Sequence, residues 1–189
     1  MIWTAVETAE AVASKIRYDE VTDWTYLNAS REHNGGGKGN RMPTRTAEAE
    51  WKGNVLQGEG RMKLGTGAFE GSYDFRSRTA DGKGTNPEEL IGAAHAGCFS
   101  MALSAQLTKA GFTADRIHTS AKVHFEKQGE GFAIPLIELE TEAIVPGINP
   151  TVFMQHAQSA KENCPVSRAL AGVEIRLTAR LASASAAPA

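Results

Sequence analysis

The longest uncharged stretch of the chain, residues 90–108, predicts a helix. It contains no Asp, Glu, Lys or Arg. Asn86 can cap this helix and Pro87 fits its first turn, while Lys109 and Gly111 supply a basic last turn and a left-handed stop. A helix of about 23 residues would be roughly 34 Å long. Because it has no charged face to turn toward water, we expect other parts of the protein to cover it.

Segments of alternating polar and apolar residues on both sides of this helix predict strands. They comprise residues 46–51, 55–64, 69–75, 117–126, 133–144 and 173–181. Pro135 indicates an edge strand or a bulge. A second helix is expected to begin at Asn149-Pro150 and to be interrupted at Cys164-Pro165. The order of strands, helix, strands, helix and strand predicts an α+β fold.

The chain of 189 residues has the length of one domain. Residues 1–41 are weakly patterned and run into a cluster of glycines, so we expect a flexible N-terminal extension. Residues 42–181 then form the folded domain. The low-complexity segment 182–189 is expected to be a disordered tail.

The charge balance argues against several classes of partner. Twenty basic and twenty-two acidic residues give a net charge of -2, so nucleic acid and anionic membranes are poor candidates. The first residues lack the pattern of a secretory signal, which makes a cytoplasmic location the default. The long apolar helix approaches the length of a membrane span. Its many small residues and polar residues such as His95 and Gln106 instead favour packing against another helix, in the same chain or in a partner chain.

The candidate chemistry lies at two cysteines. They are too few for a disulfide scaffold and are not spaced as a zinc motif. Cys98, in the middle of the apolar helix, is of a kind that most often only packs. Cys164 precedes Pro165 at a structural break, where a following helix N-terminus would favour its thiolate. His95 lies one turn before Cys98 and shares its helix face.

Arg78 and Glu88 stand near the start of the same helix, with Arg78 expected in a loop over residues 77–84. A thiol peroxidase needs a cation that favours the thiolate, an acid that holds the cation, and a second thiol that captures the sulfenic acid. Arginine suits the cation role because it keeps its proton and binds a carboxylate through two hydrogen bonds. An ordinary surface ion pair between Arg78 and Glu88 is the alternative.

Three segments carry a family resemblance: GTNPEELIGAAHAGCFSMALS around Cys98, VPGI, and NCPVS around Cys164. Together with the hairpin-rich region from Trp51, they resemble the osmotically inducible protein C and organic hydroperoxide resistance (OsmC/Ohr) family. The resemblance covers about residues 47–181 and is closer to the OsmC branch. Residues 1–41 have no counterpart in the family pattern, which agrees with an extension.

The resemblance implies an OsmC-like fold, with antiparallel sheets packed around long central helices in an intertwined homodimer. It implies a cysteine peroxidase that reduces organic hydroperoxides, and hydrogen peroxide less well, in oxidative-stress defence. Cys98 matches the peroxidatic cysteine, Cys164 the resolving cysteine, Arg78 the thiolate-stabilising arginine and Glu88 the carboxylate that orients it. A dithiol, typically a lipoyl group, supplies the electrons in the family, and no metal or flavin cofactor is required. His95 matches no assigned catalytic position.

Helix geometry adds a constraint on these residues. Glu88 and Cys98 are ten positions apart, so they are separated by roughly 15 Å along the helix and about 80° around it. We therefore expect Arg78 and Glu88 of one subunit to serve Cys98 of its partner. The side chains of Phe99, Met101 and Leu103 are candidates either for an alkyl-binding surface or for the core.

Two other functions remain as alternatives from the sequence. A hydrolase could use Cys98 with His95 as its base, although their adjacent positions on one helix suit this poorly and no oxyanion-hole motif is evident. A noncatalytic module could bind an apolar ligand between its helices and leave both thiols inert.

Overall fold

The computed structural model describes residues 42–80 and 82–182 of the chain. The predicted extension, residues 1–41, and the predicted tail beyond Ala182 lie outside the described residues. The described part folds in the order β1 (Ala47–Lys52), β2 (Glu59–Leu64), β3 (Glu70–Asp74), α1 (Arg76–Thr79), α2 (Pro87–Lys109), β4 (Arg116–Gln128), β5 (Gly131–Ile144), α3 (Pro150–Asn163), α4 (Pro165–Ala169) and β6 (Glu174–Leu181).

The first three strands form an antiparallel sheet in the order β1-β2-β3. The second strand begins at Glu59, later than predicted. The reason lies in Asn54, whose Oδ1 accepts hydrogen bonds from the amides of Leu56 and Gln57 at 3.0 and 2.9 Å. This side-chain turn replaces the ladder hydrogen bonds that a strand would make there.

The third strand ends at Asp74, and the prediction that Arg78 lies in a loop is wrong. Arg78 lies in the short helix α1. The Asp74 carboxylate accepts a hydrogen bond from the Ser77 amide at 2.6 Å, and the Ser77 hydroxyl donates to the Asp74 carbonyl at 2.9 Å. These local bonds favour a helical turn directly after the strand.

The long helix α2 begins and ends as the sequence predicts. Asn86 Oδ1 accepts a hydrogen bond from the Glu89 amide at 2.8 Å, with Pro87 in the first turn. At the other end Gly111 has φ +84°, a conformation that favours glycine. The amide of Phe112 then donates to the Leu107 carbonyl at 2.9 Å, which closes the helix.

The second sheet has the order β4-β5-β6 and is mixed, since β6 pairs with β5 in parallel. A two-residue turn at Gly129-Glu130 joins the antiparallel strands β4 and β5, with Gly129 at φ +58°. The pairing shifts between His124 and Glu126, opposite the stretch that contains Pro135. The bulge predicted from Pro135 is therefore confirmed, although β5 is the central strand and not an edge.

The core lies between α2, α3 and the second sheet. Asn149 caps α3 through a 2.8 Å bond from the Thr151 amide, with Pro150 in the first turn as predicted. The fully buried core side chains come from all three of these elements: Phe99, Leu103 and Leu107 of α2, Ile137, Leu139 and Ala143 of β5, and Phe153, Ala157 and Ala160 of α3. The predicted α+β class is confirmed. The second sheet covers one side of α2.

One face of α2 remains uncovered in the single chain. Ala93, Ala94, Gly97, Ser104 and Ala105 are exposed, and Met101 is 76% exposed. By length and composition alone α2 would also suit a membrane span. Its opposite face, however, packs in the core as the central helix of a globular protein does.

Candidate active site

The segment between β3 and α2 holds Arg78 against the first turn of α2. The Ser77 hydroxyl hydrogen-bonds to the Thr85 carbonyl at 2.9 Å, and the Asn86 amide side chain donates to the Ser77 carbonyl at 3.1 Å. The Thr85 amide donates to the Ser72 carbonyl of β3 at 2.9 Å. Through Ser77, the short helix α1 is thereby tied to Thr85 and Asn86 at the start of α2.

Arg78 and Glu88 form the pair that the sequence predicted. Arg78 Nη2 donates to Glu88 Oε1 at 2.7 Å and Nε donates to Oε2 at 3.2 Å. The Glu88 side chain is only 9% exposed, compared with 33% for Arg78. The guanidinium carbon also lies 4.4 Å from the centre of the Phe125 ring. A carboxylate on one side and an aromatic face on another therefore fix the orientation of the cation.

A groove of about 570 Å³ opens beside this pair. Its walls are the first half of α2, including Gly92, Ala93 and Ala96, and the strand β4, with Arg78 and Phe125 among its lining residues. Neither cysteine is among the residues that line it. Within one chain the cation and the sulfur atoms thus belong to separate environments.

Cys98 and Cys164 are brought together, although sixty-six residues separate them in sequence. Both are free thiols, and they lie close enough for each to shift the pKa of the other. Cys98 is partly exposed, whereas Cys164 is fully buried. The packing of α2 against α3 and α4 produces this contact, since Cys164 lies at the break between the last two helices.

The two thiols have different electrostatic surroundings. Burial raises the pKa of Cys98, the backbone amide of Val166 opposes this rise, and the neighbouring Cys164 adds to it. The pKa of Cys164 lies below its ordinary value. Burial would raise that pKa, but the Ser167 amide, the Cys98 thiol, the Ser167 hydroxyl and the Val166 amide together outweigh burial. The first turn of α4 thus stabilises negative charge at this pair of sulfurs, and Cys164 carries it more readily within a single chain.

His95 is fully buried and contacts Ser167, with Nε2 and Oγ 2.8 Å apart. Its Nδ1 atom has no hydrogen-bond partner among the described residues. Burial lowers the pKa of His95, so the ring is neutral near pH 7. A ring nitrogen bonded to Ser167 is poorly placed to act as the base for Cys98, which disfavours the hydrolase alternative.

Several contributors to the site escape sequence reasoning. Ser167 lies 72 positions from His95, and Phe125 lies 47 positions from Arg78; only the tertiary fold brings each pair together. The only sequence signal that pointed to His95 was its position one helical turn before Cys98. Of the three side chains that were candidates either for an alkyl-binding surface or for the core, Phe99 and Leu103 are fully buried in the core. Met101 alone of the three is exposed.

No group of three or more His, Cys, Asp or Glu residues in the described segments is arranged to hold a metal ion. The chemistry that the described side chains offer is therefore that of two adjoining thiols, backbone amides and a neutral histidine. The ion pair between Arg78 of α1 and Glu88 in the first turn of α2 lies outside this pair of thiols.

Comparisons with known proteins identify a family and several relatives of this chain. The model of the OsmC-like protein family matches residues 80–178. The peroxiredoxin OsmC of Escherichia coli strain K12 is 47% identical over 137 residues, which cover 72% of this chain and 95% of that protein. The peroxiredoxin OsmC of Shigella flexneri has the same identity and coverage.

Solved structures share the fold. An organic hydroperoxide resistance protein from Elizabethkingia anophelis has a TM-score of 0.61 at 26% identity, with 76% of this chain and 99% of that chain covered. The organic hydroperoxide resistance protein OhrB of Bacillus subtilis has a TM-score of 0.56 at 24% identity, with 71% and 98% covered. The first structure, at 26% identity, supports both a shared fold and a relationship to this chain. The second structure, at 24% identity, supports the shared fold alone.

Proposed function

The chain belongs to the OsmC-like protein family and is a thiol-dependent peroxidase, and we propose that it reduces organic hydroperoxides through Cys98, with Cys164 as the resolving thiol. The observation that carries this assignment is the contact between a partly exposed thiol and a fully buried one. A peroxide molecule from solvent can reach the first sulfur, and the second lies within bonding reach once the first is oxidised.

The proposed cycle has three steps. The Cys98 thiolate attacks one peroxide oxygen, the O–O bond breaks, and the alcohol leaves with a proton while Cys98 becomes a sulfenic acid. The Cys164 thiolate then attacks the sulfenic sulfur, forms the Cys98–Cys164 disulfide and releases water. A dithiol, such as a lipoyl group, reopens the disulfide by exchange. Such reduction suits a cytoplasmic location, where thiols are kept reduced.

The first step needs a cation near Cys98, and we propose that the partner subunit supplies it. Within one chain, burial raises the pKa of Cys98, and Arg78 is held at a different groove. A guanidinium fixed by Glu88 in an antiparallel partner helix would lower that pKa and draw the shared negative charge onto the Cys98 sulfur.

The uncovered face of α2 supports a homodimer. Small residues such as Ala94 and Gly97 are exposed there, and a Cβ atom built on Gly97 would meet nothing within 4 Å. Met101 adds a large exposed apolar side chain. A second copy of α2 could approach this face closely because its side chains are short and uncharged. Size determination by analytical ultracentrifugation tests the dimer itself.

The assignment of the two sulfurs is tested by mass spectrometry of the reduced protein after one equivalent of cumene hydroperoxide. We expect the loss of two hydrogens and a peptide that links Cys98 to Cys164. In Cys164→Ser we expect one added oxygen on Cys98. Retention of both free thiols would reject the peroxidase cycle and favour the noncatalytic binding module, since bound but unreacted peroxide leaves thiols intact.

Complementation between two inactive variants tests the sharing of sites. We expect Arg78→Met and Cys98→Ser to be nearly inactive as homodimers. In a tagged heterodimer of the two, the intact Cys98 of one chain faces the intact Arg78 of the other, so activity returns at about half the wild-type sites. An inactive heterodimer would mean that Arg78 acts within its own chain. The matched control is a heterodimer of wild type and Cys98→Ser.

A further inference from the structure

His95 and Ser167 form a buried hydrogen-bonded chain beside the resolving thiol. His95 Nε2 lies 2.8 Å from Ser167 Oγ, and Ser167 stands in the first turn of α4, three residues after Cys164, where its hydroxyl lowers the pKa of the Cys164 thiol. His95 is fully buried and Ser167 is 7% exposed. Nothing in the reaction cycle above uses either side chain.

The number of protons available decides which group donates and which accepts in the hydrogen bond between His95 and Ser167. The Ser167 hydroxyl has one proton and can donate it either to His95 or to Cys164. Donation to a Cys164 thiolate requires that His95 present its Nε2 proton to Ser167. In that tautomer the unpartnered Nδ1 atom carries a lone pair, whereas the opposite tautomer would leave a buried N–H without an acceptor. We therefore assign the proton to Nε2.

We propose that His95 is a positioning residue for the resolving step, which orients the Ser167 hydroxyl toward Cys164 and so holds the buried sulfur as the nucleophile. The proposal rests on the assignment of Cys164 as the resolving thiol. In this proposal Ser167 acts on the reacting sulfur, and His95 acts through Ser167.

The His95–Ser167 pair serves the resolving step, in which the disulfide forms, and one proton balances that step. The Cys164 thiolate supplies an electron pair to the sulfenic sulfur of Cys98, so the S–S bond forms as the S–O bond breaks. Cys164 is oxidised and the sulfenic sulfur is reduced. The leaving oxygen departs as hydroxide and takes up one proton, equal to the one that Cys164 released to solvent when it ionised, so water is the product. A hydrogen bond from Ser167 favours the thiolate before attack, which raises the fraction of protein ready to resolve.

The arrangement acts on resolution and not on peroxide attack, because the Ser167 hydroxyl favours the thiolate of Cys164, whereas the first step occurs at Cys98. Loss of the chain should therefore lengthen the life of the sulfenic acid. In excess peroxide, the longer-lived sulfenic acid is exposed to further oxidation to sulfinic acid.

The test is a single-turnover experiment on the reduced full-length protein with one equivalent of cumene hydroperoxide. Samples are quenched by acid and a sulfenic-acid trap, and intact masses separate the sulfenic adduct from the disulfide. In His95→Met and Ser167→Ala we expect disulfide formation to slow by about tenfold or more, because a hydrogen bond to a charged group is lost. The rate of sulfenic-acid formation should stay within about twofold of wild type.

Conservative variants separate positioning from packing. His95→Gln places an amide N–H near the position of Nε2, and Ser167→Thr keeps the hydroxyl. We expect both to resolve the sulfenic acid faster than the variants that lack the donor. Thermal melting shows which variants are folded. If His95→Met does not fold, the comparison of Ser167→Ala with Ser167→Thr decides between positioning and packing.

Four outcomes would overturn the proposal. Wild-type resolution rates in folded Ser167→Ala would show that the hydroxyl does not act on Cys164. Equal slowing of both steps, or no recovery in either conservative variant, would show a packing role only. If wild type itself forms neither sulfenic acid nor disulfide, the proposed peroxidase cycle fails first, and this inference fails with it.

Discussion

The guanidinium of Arg78 and the carboxylate of Glu88 meet through two hydrogen bonds, of 2.7 and 3.2 Å, at the first turn of α2. The carboxylate is almost fully buried and the guanidinium is one-third exposed. One edge of the cation is therefore occupied, and Arg78 lines the groove together with Phe125.

We expect Arg78→Met to lower the second-order rate of Cys98 oxidation by about a hundredfold or more, because the cation that favours the thiolate is lost. Glu88→Gln should lower it less, by about tenfold, since the cation remains but loses a charged partner. Stopped-flow tryptophan fluorescence after mixing with cumene hydroperoxide provides the rates.

Arg78→Lys is the matched control for charge without the planar, two-donor geometry. We expect a rate between those of wild type and Arg78→Met. A rate for Arg78→Met within twofold of wild type would reduce the Arg78–Glu88 pair to a structural ion pair.

The two cysteines should give different failures when replaced. Cys98→Ser is expected to abolish turnover, because the partly exposed sulfur is the one that peroxide reaches. Cys164→Ser should complete the first step at near the wild-type rate and then stop, with sulfinic acid accumulating on Cys98 in excess peroxide. Dithiol-coupled turnover and peptide masses check both. Sustained turnover by Cys98→Ser would mean that the assignments are reversed.

The uncovered face of α2 predicts sensitivity to charge. Met101→Glu should shift the sedimentation coefficient toward that of a monomer and lower peroxidase activity at low protein concentration, because a carboxylate would be buried without a partner at the helix interface. Met154→Glu, at a 44% exposed methionine on α3, is the control and should leave the assembly intact. Equal sedimentation of both variants and wild type would exclude this face from the interface.

His95 predicts a pH dependence of stability. Burial lowers its pKa from the ordinary value of 6.5 in the folded state. As the pH falls below that value, the unfolded chain binds a proton at His95 that the folded chain does not, so stability decreases toward acid. Urea unfolding between about pH 7 and about pH 5.5 should show a shallower decrease in His95→Gln than in wild type.

His118→Gln removes an exposed histidine on β4 and serves as the control for this measurement. We expect its free energy of unfolding to follow the wild-type dependence on pH. Parallel curves for His95→Gln and wild type would contradict the prediction.

Local signals in the sequence predicted most of the secondary structure correctly. The cap at Asn86, the stop at Gly111 and the bulge near Pro135 depend on residues a few positions away, and each is present in the fold. Local reasoning failed where a side chain competed with the expected backbone pattern. Asn54 delayed the second strand, and the Asp74–Ser77 bonds made a helical turn at Arg78 in place of a loop.

The candidate site also has features that the sequence predicts and features that depend on the tertiary fold. The sequence by itself determined which residues could do chemistry, because thiols, a guanidinium and a carboxylate are properties of residue types, and Glu88 follows Arg78 closely along the chain. Only the tertiary structure decided which of them meet. It set Cys98 beside Cys164 and His95 against Ser167, and it placed Arg78 at a groove that neither cysteine of the same chain lines. Contacts between distant segments depend on how whole helices and sheets pack, and no local pattern encodes that packing.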